Sequence, residues 1–174
     1  IVVDSNSDDA TQDLAKSTQA EVFNFIWNGK YPKKRQWILD NLTDQIAHDW
    51  VLFIDADERA TPEFIEELQC IDPDYAGYFV KGYYLYNGRV IKRGAVNNKL
   101  CLIHRERMEF PVVDDLDSDG MGEIEGHYQP VLKEAHYNIG QLKQGIIHDA
   151  FADMDRWHAR HQRYRVWEDA MTKR

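Results

Sequence analysis

Trp50-Val51-Leu52-Phe53-Ile54 runs directly into Asp55-Ala56-Asp57-Glu58, so five apolar residues are followed at once by an acidic segment. A continuous apolar run of this length predicts a strand that is buried on both faces of a parallel sheet. In open α/β sheets, ligands bind at the carboxyl ends of such strands. Asp55 and Asp57 are spaced i, i+2 where the chain turns, so both can offer oxygen ligands to one hard divalent cation. The alternative is an ordinary acidic strand end that serves the N-terminus of the next helix.

The beginning of the chain predicts the same kind of sheet. Residues 1–4 are β-branched and typical of a strand, residues 9–19 favour a helix, and residues 22–25 favour a second strand. This order is typical of parallel strands joined by crossover helices. Asp4 ends its strand as Asp55 ends the later one, so two strands deliver an acid to one edge of the sheet. An Asn87-Gly88 hairpin signal predicts a more antiparallel second half.

Composition and charge exclude several classes of protein. A chain of 174 residues suffices for one domain, so we predict a single domain over residues 1–174, within a longer polypeptide. The net charge of −9 argues against electrostatic binding of nucleic acid. Cys70 and Cys101 are far apart, which predicts neither a zinc site nor a disulfide framework and favours a reducing compartment. No apolar run approaches the roughly 18 residues of a transmembrane helix.

A basic segment begins the helix that is predicted to have Pro32 in its first turn. Lys33, Lys34 and Arg35 follow, where cations are unfavourable to the helix dipole. An anionic group such as a phosphate close to this helix end would account for them. A solvated basic helix end is the alternative.

Residues 112–126 form an acidic segment with two interpretations. Four of its residues match the first half of a calcium-binding loop: Asp115, Asp117, Asp119 and Gly120. The twelfth position of such a loop requires a bidentate glutamate, and here it is Gly126. A mobile acidic loop is therefore favoured over a calcium site. Glu123 and Glu125 close the segment, and either could act as a base if it projected into a cleft.

The last third of the chain contributes a histidine and a basic helix. His148 ends a short predicted strand, and a lone histidine in such a place is more often structural than a ligand. Arg156, Arg160 and Arg163 share one face of the final helix. That face is either solvated or meets a phosphate or a lipid surface.

Several motifs together resemble the family 2 inverting glycosyltransferases with the GT-A fold. Residues 2–11 look like that family's VVDxxSxDxT segment, and residues 50–58 look like its WVLFLDADE strand, which holds the DxD motif. Residues 27–35 and the C-terminal part from His148 resemble a bacterial subgroup that acts in lipopolysaccharide-core and exopolysaccharide assembly. The resemblance covers nearly the whole chain.

The resemblance implies a fold and one missing element. We expect an α/β domain of the GT-A (Rossmann-like) type, with a mixed, mainly parallel sheet flanked by helices. The family's first strand and its following loop have no counterpart before Ile1. We therefore expect an open gap between the strand of residues 1–4 and that of residues 51–54. A polypeptide of only these residues is expected to be poorly stable and inactive.

The resemblance also implies roles for individual residues in donor binding. Asp4 would accept a hydrogen bond from the nucleobase and Asp55 would face the ribose. Asp57 would bind Mg²⁺ or Mn²⁺ on the diphosphate, with His148 completing the metal shell. Three further residues would line the donor site: Ser5, Arg35 and Ala56. Gln36 stands where the family has an asparagine, so no role is assigned to it.

An inverting transfer needs one base that takes the proton of the acceptor hydroxyl. Glu125 is the predicted base, with Glu123 as the second choice. The implied function is metal-dependent transfer of a hexosyl group from a nucleotide-diphospho-sugar to a glycan or lipid-linked acceptor in cell-surface polysaccharide synthesis. The implied location is the cytoplasm or the inner face of the membrane, with peripheral membrane contact.

Three other functions stay open on the sequence. One is a non-catalytic domain that binds a nucleotide-sugar or a glycan, and another is a structural domain stabilised by calcium. The third is a nucleotidyltransferase built on the same sheet, although no glycine-rich phosphate loop is present in these residues.

Overall fold

A computed structural model describes residues 1–94, 96–117, 122, 123, 125, 128–150 and 154–173, without the side chains of Arg156 and Arg160. The helices in this part of the chain are α1 (Thr11–Ser17), α2 (Lys34–Asn41), α3 (Pro62–Leu68) and α4 (Met154–Thr172). The strands are β1 (Val2–Asp4), β2 (Val22–Asn24), β3 (Trp50–Leu52), β4 (Glu58–Ala60), β5 (Gly77–Tyr86), β6 (Arg89–Ile91), β7 (Asn97–His104), β8 (Met108–Glu109), β9 (Val131–Leu132) and β10 (Ile139–His148).

The strands form a mixed sheet with helices packed on it, which confirms the predicted fold class. The main sheet has the strand order β3-β7-β5-β10-β4, and β6 pairs with β5. β1 and β2 form a separate parallel pair, and β8 and β9 a separate antiparallel one. Within the described residues, β5 with β10 is the second parallel pair, and antiparallel pairs outnumber parallel ones, so the sheet is mixed as predicted but not mainly parallel. The antiparallel share is large because β5, β6 and β7 follow one another without a crossover helix.

Two helices pack on the main sheet through separate apolar clusters. Phe64 of α3 belongs to a cluster with Val80 and Ile146. Leu39 of α2 belongs to a second cluster, which includes Ile103 and Met108. Burying large apolar side chains in this way supplies most of the stability of a domain of this size.

Local signals place some elements where the sequence predicts them. Thr61 caps α3, because its hydroxyl accepts a hydrogen bond from the Phe64 N–H at 3.2 Å, and Pro62 opens the helix. Asn87 and Gly88 have φ of 48° and 72° and form the two-residue turn between β5 and β6. Both predictions are confirmed.

The start of α2 differs from its prediction. The helix begins at Lys34, so Pro32 lies outside its first turn. The residue between them, Lys33, is extended with ψ of 179°. Its side chain enters the protein interior, where its ammonium group lies 2.7 Å from Asp115 Oδ2. Lys33 is therefore the residue before the first turn of α2, and its side chain forms a buried ion pair instead of lying on the helix surface.

Asp115 lies at the centre of a buried polar cluster that joins α2 to α4. Besides Lys33, its carboxylate accepts hydrogen bonds from the Tyr31 hydroxyl at 2.6 Å and the Trp167 indole N–H at 3.0 Å. These partners occupy both carboxylate oxygens, so Asp115 is not an open calcium ligand as the calcium-loop alternative requires. Of the other residues of that motif, Asp117 is exposed, and Asp119, Gly120 and Gly126 lie outside the described part of the chain.

A cleft of about 760 Å³ separates β1 from β3. Residues 1–3 form one wall and residues 50–56 the other, and Lys34, Arg35 and Ile38 of α2 also line it. Among the described strands, β1 pairs with β2 and β3 pairs with β7, so neither wall is bridged by a further strand. The cleft lies where the sequence predicts a gap.

α4 is the longest helix of the structure. In the described part of the chain, no helix is both long and apolar enough to cross a membrane. Arg163 is exposed on α4, and the side chains of Arg156 and Arg160 lie outside the description.

Candidate functional site

The acidic turn after β3 is closed by its own hydrogen bonds. The Glu58 N–H donates to the Asp55 carbonyl at 2.9 Å, and the Asp55 N–H donates to the Glu58 carboxylate at 2.9 Å. The Asp149 N–H donates to the Asp57 carbonyl at 2.8 Å, which ties the turn to the end of β10. These hydrogen bonds fix the conformation of the turn, and the turn sets the direction of the Asp57 side chain.

Asp57 and His148 lie together at the ends of two strands. Asp57 Oδ2 and His148 Nε2 are 3.2 Å apart. The His148 ring stacks on Tyr84, with 5.4 Å between ring centroids, and its Nδ1 is buried without a hydrogen-bond partner. β4 and β10 place Glu58 opposite His148 in their ladder. The family resemblance predicts that Asp57 and His148 act as a pair, and the structure brings these two side chains into contact.

This pair suits a divalent cation that is completed by a substrate. Within the described residues, no group of three or more His, Cys, Asp or Glu side chains converges on one point. Mg²⁺ in nucleotide sites is commonly held by one or two carboxylates together with substrate phosphates and water. One carboxylate beside one imidazole nitrogen fits such a site. A group bound to the unpartnered Nδ1 would orient the ring.

Asp55 lies between two cations. Arg35 Nη2 is 2.8 Å from one carboxylate oxygen and Lys99 Nζ is 2.9 Å from the other. Burial by itself would raise the pKa of Asp55, but Arg35 and Lys99 outweigh it and hold that pKa below its ordinary value. The Arg35 guanidinium lies 6.0 Å from the ring centroids of both Phe53 and Phe110. Arg35, Asp55 and Ala56 all line the cleft, and their role in donor binding stays a prediction.

Lys99 is the residue of this site that the sequence analysis missed. It is buried on β7, and its ammonium group also lies 2.6 Å from the Glu58 carboxylate. Burial alone would lower the pKa of Lys99, but Asp55 and Glu58 outweigh it and raise that pKa. A lysine that opens the apolar run of residues 100–103 is the one sequence signal that could have identified it.

Replacing Lys99 by methionine is expected to lower the free energy of unfolding by about 3–5 kcal/mol, because the Glu58 carboxylate would stay buried without a counter-charge. Urea denaturation measures this loss. The double variant Lys99→Met/Glu58→Gln should recover part of it, since the uncompensated charge is then removed. A loss below about 1 kcal/mol in Lys99→Met, the scale of an exposed ion pair, would contradict the role given to Lys99.

Asp4 and Ser5 lie at the end of β1 and are engaged locally. Asp4 accepts hydrogen bonds from the Ser7 hydroxyl and N–H and from Gln12 Nε2. These donors, the Ser7 hydroxyl first, lower the pKa of Asp4 to about 2, so it is ionised near neutral pH. The Ser5 hydroxyl donates to Glu123 Oε1 at 2.6 Å. Donor binding by Asp4 and Ser5 stays a prediction.

The anionic group predicted beside the basic helix start is supplied by the protein itself. Glu125 Oε1 accepts hydrogen bonds from the Arg35 and Gln36 N–H groups at 2.6 and 3.2 Å. Glu123 Oε1 lies 2.6 Å from Lys34 Nζ, and the Glu123 carbonyl accepts from the Lys34 N–H. Two glutamates thus satisfy the positive end of α2, where negative charge is favourable.

The two predicted bases differ in their surroundings. Glu125 is buried, and burial raises the pKa of its carboxyl group, against the opposing effect of Arg35 and of the backbone donors. Glu123 is partly exposed and paired with Lys34. A buried carboxyl whose pKa is raised is better matched to proton transfer near neutral pH than an exposed one. The assignment of Glu125 as base stays a prediction.

Comparisons with known proteins point to one family. The model of the family described as "Glycosyl transferase family 2" matches residues 1–140. A protein of Rickettsia prowazekii (strain Madrid E), named an uncharacterized glycosyltransferase, is 33% identical over 93 residues. The match covers 51% of this chain and 30% of the relative, so the chain spans less than a third of that relative's length.

Proposed function

Because the chain belongs to glycosyl transferase family 2, we propose that it transfers a hexosyl group, with inversion and with a divalent cation, from a nucleotide-diphospho-sugar to a glycan or lipid-linked acceptor. One observation carries the proposal. Asp57, in the turn that follows β3, lies 3.2 Å from His148 at the end of β10, and Asp55 and Ala56 of the same turn line the cleft of about 760 Å³ between β1 and β3.

The donor occupies the end of the cleft at which Arg35, Asp55 and Ala56 lie. The ribose hydroxyls hydrogen-bond to Asp55, whose carboxylate stays ionised because Arg35 and Lys99 lower its pKa. Arg35 is held in place by Asp55 and by two aromatic rings, so its guanidinium is preorganised to meet negative charge. Asp4 and Ser5 face the nucleobase from the end of β1.

Asp57 and His148 would hold the cation, which would be Mg²⁺ or Mn²⁺. When bound, it would neutralise the diphosphate as negative charge builds on the leaving group. The Asp57 carbonyl and the Asp149 N–H keep the turn against β10, so the Asp57 carboxylate is placed without relying on the ligand. The stacking of Tyr84 on His148 fixes the imidazole ring.

Glu125 acts as the base. It accepts the proton of the acceptor hydroxyl as that oxygen bonds to the anomeric carbon, while the bond from carbon to the donor phosphate breaks and its electron pair leaves with the diphosphate. The Arg35 and Gln36 N–H groups orient Oε1. A carboxylate offers about four lone-pair sites, and these two bonds use one of its two oxygens.

A second candidate is a domain that binds a nucleotide-sugar or a glycan without turnover. Two observations favour it: Glu123 and Glu125 already bind the start of α2, and neither of them is among the residues that line the cleft. A capping carboxylate stabilises a helix whether or not it ever takes a proton.

The acceptor and the cellular role rest on the resemblance of residues 27–35 and of the C-terminal part to enzymes of lipopolysaccharide-core and exopolysaccharide assembly. On that basis the protein works in cell-surface polysaccharide synthesis, in the cytoplasm or at the inner face of the membrane.

A thermal-shift titration of the complete protein with UDP, GDP and nucleotide-sugars, each with and without Mn²⁺, tests the donor site. A ligand that binds only the native state raises Tm, and at 100 times its Kd it adds about 2.7 kcal/mol of stability. We expect one nucleotide to raise Tm and to need Mn²⁺ for it. A rise with calcium alone, and none with any nucleotide, would overturn the proposal.

A further inference from the structure

The hairpin formed by β5 and β6, residues 84–93, extends beyond the rest of the sheet. β7 pairs with β5 up to Gly82 and β10 pairs with it up to Tyr84. From there on, β6 is the partner of β5 among the described strands. Each residue from 86 to 94 is exposed. The hairpin is therefore a projection rather than part of the packed sheet.

This projection is basic in an acidic protein. The chain carries 30 Asp and Glu residues and a net charge of −9, yet none of those acids lies between residues 75 and 105. The hairpin itself contains Arg89, Lys92 and Arg93. Lys92 turns back, with its ammonium group 5.8 Å from the Tyr83 ring centroid. Arg89 and Arg93 are exposed, so the outer part of the hairpin presents positive charge to a partner.

Apolar side chains are exposed beside these cations. Tyr86, Val90 and Ile91 have 51%, 37% and 39% of their surfaces exposed. Val90 lies opposite Leu85 and Ile91 opposite Tyr84, so the alternation of a strand places Val90 and Ile91 on opposite faces. Charged residues on an edge strand commonly protect a sheet against aggregation. Exposed aliphatic residues on both faces of β6 would favour aggregation, so protection alone does not explain this hairpin.

We propose that residues 84–93 form a membrane-contact hairpin that docks on a bilayer surface rich in anionic lipid. An aromatic ring and two aliphatic side chains suit the boundary between head groups and acyl chains, and the arginines pair with lipid phosphates. Charge complementarity selects this partner, since an anionic surface attracts the hairpin and repels most of the remaining chain.

The hairpin also lies next to the proposed active site. Tyr84, its first residue, stacks on His148, which is 3.2 Å from Asp57. Docking through the hairpin would therefore hold the Asp57–His148 site close to the membrane surface. That position suits an acceptor whose reactive hydroxyl is carried on a lipid. Membrane docking is measured without turnover, so its failure and that of the proposed transferase activity are distinguishable.

Vesicle flotation of the complete protein tests the proposal, with vesicles of phosphatidylcholine alone and with 30% phosphatidylglycerol. We expect binding to the anionic vesicles that weakens as salt is raised. Arg89→Gln/Arg93→Gln should weaken it about 25-fold, at about fivefold for each cation near the surface. Val90→Ser/Ile91→Ser should weaken it about tenfold through lost apolar burial. The matched control is Leu14→Ser/Lys16→Gln, which removes an exposed apolar residue and a cation from α1 and should bind as the unaltered protein does.

Three outcomes would overturn the proposal. One is equal binding to neutral and anionic vesicles, and another is binding that the hairpin variants leave unchanged. The third is a change of oligomeric state in Val90→Ser/Ile91→Ser without any change in vesicle binding, because the hairpin would then be an interface between protein chains.

Discussion

Asp57→Ala is expected to lower kcat/KM by about 10²- to 10³-fold, the scale seen when one group that stabilises a leaving or developing charge is removed. His148 would remain as a single protein ligand, and one imidazole holds a hard divalent cation poorly. The same variant should lose the Mn²⁺-dependent rise in Tm with nucleotide. Steady-state kinetics and thermal-shift titration measure the two effects.

The fold should survive this substitution. The Asp149 N–H bonds to the Asp57 carbonyl, and the Asp55 and Glu58 bonds close the turn, so none of them needs the Asp57 side chain. Asp44→Ala, which removes an exposed acid after α2, is the matched control and should behave as the unaltered protein. Full activity of Asp57→Ala with a retained Mn²⁺ effect would remove Asp57 from the metal site.

Glu125→Gln is expected to lower kcat by about 10²- to 10⁴-fold, the usual contribution of a general base. Its stability should be kept, because the glutamine side-chain oxygen can accept the same hydrogen bonds from the Arg35 and Gln36 N–H groups. The variant also removes a carboxylate whose ionised form is disfavoured by burial. Rapid kinetics and urea denaturation together separate a catalytic role from a capping one.

The pH dependence gives a second readout for Glu125. Burial raises the pKa of its carboxyl group above the ordinary value. A base works only when ionised, so the rate should rise with pH through this raised pKa and then level off. For stability the sign is opposite: a raised pKa in the folded state favours the protonated form, and that contribution is lost as pH rises. Glu125→Gln should abolish the acidic limb of the rate profile.

Glu123→Gln is the matched control, since it alters the neighbouring carboxylate that pairs with Lys34 and accepts from Ser5. It should change kcat far less than Glu125→Gln. If Glu123→Gln removes the acidic limb and Glu125→Gln leaves it in place, Glu123 is the base. If the unaltered protein and both variants bind nucleotide normally and none of them shows turnover, the non-catalytic candidate is favoured.

Features with local causes were predictable from the sequence. The cap and proline at Thr61-Pro62, the Asn87-Gly88 turn and the strand that begins at Trp50 all depend on residues within a few positions of one another. That strand ends at Leu52 and pairs antiparallel with β7, whereas the sequence predicts a longer strand in a parallel sheet. The predicted order of strands and helices along the chain indicated the α/β fold class. The meeting of Asp57 and His148 was also predicted, but from the family resemblance rather than from spacing.

The tertiary structure decided which charged and polar groups pair across long distances along the chain. Lys99 reaches Asp55 across 44 positions, Lys33 reaches Asp115 across 82, and the Arg35 N–H reaches Glu125 across 90. No local pattern encodes such a contact, because a buried charge is placed by whichever partner the packed chain brings within a few ångströms. The sequence by itself therefore indicated candidate site residues, and folding determined that the helix start of α2 and the acidic turn after β3 are neutralised from within.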